Sequence, residues 1–146
     1  MTAVQGLAMA VTLLVAAGCA DLTMKRPVDA INAPIANPSF ARDIQPILTE
    51  TCASSNICHS GPSPQPALGG MSLEAGSSYT SLVGAPSSLV PSLRRVAPAK
   101  PDSSLVLLVL SAPRGSVRRM PLTTYPLPDA VVQTIRNWIQ NGAPNN

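Results

Sequence analysis

The stretch from Cys52 to His59, C-A-S-S-N-I-C-H, constrains this chain more than any other. It holds the only histidine in 146 residues and two of the three cysteines. Whatever these three side chains are joined to ties the surrounding backbone to one place. Composition makes such a tie valuable. Sixteen prolines, nine glycines and only four aromatic residues (Phe40, Tyr79, Tyr125, Trp138) describe a loop-rich chain with few large core side chains. Small domains of this kind commonly rely on a staple, and disulfides, metals and bound cofactors are the usual ones. Length alone favours one folded domain.

The N-terminal part reads as an export segment. Leu7 to Gly18 is a short apolar run, and the first twenty residues carry no charged side chain. Twelve helical residues reach roughly 18 Å, short of a ~30 Å hydrocarbon core, so the run is not an ordinary membrane span. It resembles the hydrophobic region of a secretory signal. Ala16, Ala17 and Gly18 before Cys19 resemble a bacterial lipobox, which makes Cys19 the expected lipidation site. The segment departs from that pattern in two ways: no Lys or Arg precedes the run, and Ala16 stands where Leu or Val is preferred. The other reading is a plain signal peptide with an incidental cysteine. Residues 1–18 are therefore expected to be a signal peptide of lipoprotein type, and 19–38 a flexible tether. Residues 39–146 are the folded domain, expected outside the cytoplasm in a bacterial cell envelope. Disulfides persist and covalent haem attachment takes place in such a compartment.

Within the domain the periodicity predicts mostly helix. Ile44, Ile47, Leu48 and Thr51 share one face of a first helix, with Asp43 as its cap and Pro46 in its first turn. Residues 60–70, rich in Pro and Gly, exclude regular structure. A short helix is expected within 73–83. Leu105 to Leu110 is apolar at every position and should be buried; the β-branched Val106 and Val109 leave a strand open there. The last helix starts near Pro128 or Asp129, shows Val131, Val132, Ile135, Trp138 and Ile139 at helical spacing, and stops at Gly142 and Pro144.

Cys-His at the end of a two-cysteine run is the signature of covalent haem attachment. An iron that only passes electrons needs two axial ligands, so that no position is left open for substrate. Histidine nitrogen with methionine sulfur meets that need, and the soft thioether raises the potential. His59 stands directly after Cys58, and Met120 lies on a proline-rich loop before the amphipathic terminal helix. Taken together these features resemble a small class I-like c-type cytochrome domain, in particular the monohaem modules of bacterial lipoproteins. Those modules open with F-x-R-D-I-Q-P-I-L and close with W-I-x-x-G-A-P, here Phe40 to Leu48 and Trp138 to Pro144. The resemblance spans about residues 39–146. It implies short helices and long Pro/Gly-rich loops around a haem c, with the first and last helices crossing beside it. It also implies His59 as proximal ligand, Met120 as distal ligand and Cys58 as a thioether cysteine.

One departure is plain. The usual motif places two residues between the cysteines; here there are five, and Ser55 stands where the first cysteine is expected. Cys52 lies three residues earlier, about 60° around a helix and 4.5 Å along it, so a continuing helix keeps it near the same side. Two thioether bonds through Cys52 and Cys58, or one through Cys58 alone, both remain open. So does a haem-free lipoprotein domain stapled by a Cys52–Cys58 disulfide and serving as a binding or structural module. A zinc or copper site lacks a partner cluster.

Net charge is +3, which ordinary solvation explains without nucleic acid. Arg94, Arg95, Lys100, Arg114, Arg118 and Arg119 fall in one stretch whose only acid is Asp102. They read as a solvated basic face, as partners for haem propionates, or as a surface for an acidic redox partner protein. The carboxylates are scattered, no second histidine exists to serve a serine, and no Gly-rich loop follows a strand. Enzymatic acid–base, hydrolase and nucleotide-binding functions are not expected.

Overall fold

The computed structural model describes residues 26–55, 58–61, 69–122 and 125–146. Their regular structure is mostly helical, with isolated bridges and no strand among the described residues. The expected signal peptide, Cys19 and the start of the tether lie outside the described residues, as does most of the Pro/Gly loop after His59.

The first helical run is three pieces in one. A π-helical stretch Phe40–Ile44 leads into α1 (Gln45–Ile47), and a second π-helical stretch Leu48–Cys52 follows. The run begins three residues before the expected cap. Ser39 caps it, its hydroxyl accepting from the Arg42 N–H, while the Asp43 carboxylate reaches back to accept from the Ser39 N–H at 2.9 Å. Pro46 therefore sits inside the run rather than in its first turn. Proline has no N–H to give the carbonyl four residues back. That carbonyl, of Arg42, accepts instead from the Arg26 N–H at 2.9 Å. Arg26 also places its guanidinium on Asp43, at 3.0 Å.

This pairing begins a second difference from expectation. Residues 26–38, read as flexible tether, lie against the domain. Ile31 is buried, the Ile35 N–H donates to the Thr134 hydroxyl, and the Asn137 amide donates to the Ile35 carbonyl. The segment shows no apolar period because Ile31 alone is fully in the core, and much of its hold comes from side chains of the last helix bonding its backbone.

α2 (Ser78–Leu82), α3 (Leu105–Ser111) and α4 (Asp129–Gln140) complete the frame. α4 buries Val131, Ile135, Trp138 and Ile139 on one face, as its spacing predicts. Each such side chain contributes about 1.5–3 kcal/mol on burial. The helix ends where Gly142 takes φ +93° and the Gly142 and Ala143 N–H groups close on the Ile139 and Trp138 carbonyls. That left-handed turn is natural to glycine. Phe40 stands beside Trp138 with ring centres 5.5 Å apart, and meets Tyr79 edge-on at 5.1 Å. Phe40 is the first residue of the run. It joins the first run, α2 and α4 in one core.

Candidate functional site

His59 is held through its backbone on both sides. Its N–H donates to the Cys52 carbonyl at 3.0 Å, and its own carbonyl accepts from the Leu73 N–H at 2.7 Å. The Leu73 carbonyl in turn accepts from the Gln45 amide, and the Ser78 hydroxyl donates to the Gln45 side-chain oxygen. The first helical run therefore reaches through Gln45 and Leu73 to set His59. The bond from His59 to Cys52 also answers the spacing problem. The first helical run, which ends at Cys52, thereby brings the Cys52 backbone beside His59.

Met120 is fixed from another direction. Its N–H donates to the Val109 carbonyl at 2.7 Å, near the end of α3, where helical carbonyls lack partners of their own. The four residues singled out in the sequence, Cys52, Cys58, His59 and Met120, line one cavity of about 290 Å³. Its size is at the lower edge of the ~300–1,000 Å³ range of small-molecule sites. The wall is mainly apolar: Leu105, Val106, Val109 and Leu110 of α3 face it, with Met71, Leu73, Leu82 and Leu89. Leu107 and Leu110 also belong to the core packed with α4. α3 is apolar all round because it stands between two apolar spaces.

The donor atoms suit a soft, neutral set of ligands. His59 is buried, and burial, with the Arg95 charge second, pushes its pKa down, against a smaller pull upward from the Met71 backbone. The ring is therefore neutral at pH 7, the form that donates a lone pair to a metal. Its Nδ1 is buried and makes no hydrogen bond of good geometry among the described residues. Cys52 and Cys58 are both free thiols. Burial pushes the Cys52 pKa up; the Thr51 hydroxyl, 3.4 Å away, lowers it, and nearby Cys58 raises it. The Ser55 hydroxyl donates to the Cys58 sulfur at 3.3 Å. Ser55, the residue in the place of the usual first cysteine, thus touches the second. Among the described residues no three His, Cys, Asp or Glu side chains come together as a metal cluster. A zinc-type site has no support from them.

Arg95 also borders the cavity, a place that sequence reasoning did not single out for it within the basic stretch. Its guanidinium donates to the Ser81 carbonyl at 2.8 Å and the Gly69 carbonyl at 2.6 Å, and burial lowers its pKa. Arg118 lines the cavity as well. No signal separates these two from the other arginines of the stretch, because the distinction comes from folding. Arg95 and Arg118 bring positive charge to an otherwise mainly apolar wall. A flat apolar group carrying anionic substituents suits such a chamber. The thiols, the neutral imidazole and the thioether suit a haem.

No protein-family model, curated protein or solved structure matches this chain.

Proposed function

We propose that the chain is a membrane-anchored monohaem c-type cytochrome that carries single electrons between extracytoplasmic partners. The observation that carries this reading is the meeting of Cys52, Cys58, His59 and Met120 at one apolar cavity, from two separated stretches of chain. Chance assembly of the two thiols, the only histidine and a thioether at one pocket is a poor alternative account. In this reading His59 and Met120 would ligate the iron of the haem, and Cys58, with Cys52, would hold the haem covalently through thioether bonds. The bound haem supplies reversible one-electron exchange between Fe(II) and Fe(III). Burial favours the unprotonated His59 ring, the apolar α3 residues would pack on the haem, and Arg95 and Arg118, which line the cavity, would receive the propionates. Cys19 is proposed as the lipid anchor, and the fold as class I-like.

A second reading has one observation in its favour. Cys52 and Cys58, both free thiols, border the same cavity. A disulfide between them would make the domain a haem-free binding or structural module. A visible spectrum of protein matured with haem-attachment machinery separates the two. The cytochrome reading expects a sharp reduced α-band; a colourless protein without free thiols overturns it.

A further inference from the structure

Gln45 is the polar exception in the middle of the first helical run. Ile44, Pro46, Ile47 and Leu48 around it are buried, and Gln45 is buried with them, at 5% exposed. A buried amide costs stability unless its hydrogen-bonding groups are met, and here they are. Its N–H groups donate to the Thr49 hydroxyl at 3.0 Å and to the Leu73 carbonyl at 3.1 Å, and its oxygen accepts from the Ser78 hydroxyl. A carbonyl can only accept, so Leu73 fixes which way the amide points. Ser78, at the start of α2, is itself fully buried. The bond to Leu73 crosses 28 residues of chain, and packing of the run alone does not require it.

What that bond holds is a short segment over 69–73. At its far end the Gly69 carbonyl accepts from the Arg95 guanidinium at 2.6 Å and from the Ser88 hydroxyl at 3.2 Å. At its near end the Leu73 N–H donates to the His59 carbonyl at 2.7 Å. Met71, between the two ends, shares the cavity wall with His59, and its backbone acts on the His59 ring. The segment is thus pinned at both ends beside His59. We propose that Gln45 is a positioning residue for His59: through the Leu73 carbonyl it sets where the segment over 69–73, and with it His59, stands in the cavity. The functional weight of this placement rests on the electron-carrier reading above, in which His59 would ligate iron. Ser78 acts one step further out, by holding the Gln45 oxygen, so α2 and the first run are both tied to the same imidazole.

The test compares Gln45→Leu with Thr134→Val in the full-length protein, matured with haem-attachment machinery. Both variants remove a buried hydrogen-bonding group; Thr134 lies in α4, bonds the Ala130 carbonyl and the Ile35 N–H, and does not line the cavity. Hydrogen exchange, read by NMR on the reduced protein, follows the His59 and Leu73 amides against the Trp138 amide of α4. In Gln45→Leu the first two should exchange roughly tenfold faster relative to Trp138, whereas in Thr134→Val all three should move together. If all three speed alike in Gln45→Leu, the inference is overturned. Should Gln45→Leu fail to fold, the double variant Gln45→Leu, Ser78→Ala, which no longer strands the Ser78 hydroxyl, takes the same measurement. In haem-loaded protein Gln45→Leu should also shift the midpoint potential and the paramagnetically shifted His59 ring signals of the ferric form, and Thr134→Val should leave both at the parent's values. A parent-like potential and parent-like ring signals in Gln45→Leu overturn the positioning role. Absence of any haem spectrum would instead sink the electron-carrier reading, and the exchange ratios alone then decide whether Gln45 places His59.

Discussion

At His59 two backbone hydrogen bonds, a buried ring and a neighbouring guanidinium meet. The ring's role depends on its being neutral, and burial makes it so. Met120 contributes differently: its backbone is tied to α3, while its side chain is partly buried beside the core. If Met120 is the second axial ligand, Met120→Ala removes a soft sulfur that favours the ferrous state. The haem-loaded variant should therefore show a lower midpoint potential than the parent in a redox titration, with a changed reduced spectrum. An unchanged potential and spectrum would remove Met120 from the ligand set. Cys52 was legible as a displaced first cysteine, but its position was not. The bond from the His59 N–H to the Cys52 carbonyl joins residues seven apart in sequence, which no local pattern specifies.

Among the elements, α4 is the most readable because one face repeats over twelve residues and a glycine ends it. The first run is less so. Asp43 precedes an apolar series and looks like a cap, yet it is fully buried and serves as acceptor for Ser39, Arg42 and Arg26. Its capping of the Ser39 N–H agrees with local rules; its pairing with Arg26 is tertiary and leaves no local trace. Burial alone would raise the Asp43 pKa. The Arg42 side chain and the Ser39 N–H outweigh it, with help from Arg26, and hold the carboxyl below its ordinary value of 3.8. The unfolded chain therefore binds this proton more readily than the folded one. Stability from the cluster is complete well above 3.8 and is lost as pH falls through the lower folded value. Asp43→Asn should cost about 1.5–3 kcal/mol at pH 7, read as a lower urea midpoint at unchanged slope. The variant should also lose less stability than the parent on acidification below about pH 4. A parallel acid response in both proteins would show that Asp43 does not titrate in this way.

For the whole molecule, the segment over 26–38 changes how the domain is held. Arg26 binds Asp43, the Val28 N–H donates to Glu50, and Asn141 donates to the Ala36 carbonyl. Thr134, Asn137 and Asn141, all on or just after α4, hold the segment by its backbone. Thr134 lies buried on the apolar face of α4, and Asn137 and Asn141 look merely solvated in a sequence, which is why this docking was not legible there. Under native conditions the segment should resist proteolysis as the domain does. The double variant Arg26→Ala, Asn137→Ala should be cut within 26–38 several times faster, as mass mapping of the fragments would show. Rapid cleavage of the parent at the same bonds would contradict a docked segment. The mostly helical frame was accessible from periodicity. The chamber was not, because its wall is assembled from α3, from the loop over 69–73 and from two arginine-bearing segments that meet only on folding.

In the reading proposed above, Cys52, Cys58, His59 and Met120 serve one covalently held haem. The most direct measurement is the intact mass of protein matured with haem-attachment machinery, taken after denaturation and extraction of any loosely bound cofactor. The expected mass is greater by one haem, a gain that the double variant Cys52→Ala, Cys58→Ala loses; a gain kept in Cys58→Ala shows that Cys52 carries a thioether of its own. A denatured protein at the mass of the polypeptide alone, or lighter by two hydrogens from a Cys52–Cys58 disulfide, would contradict it.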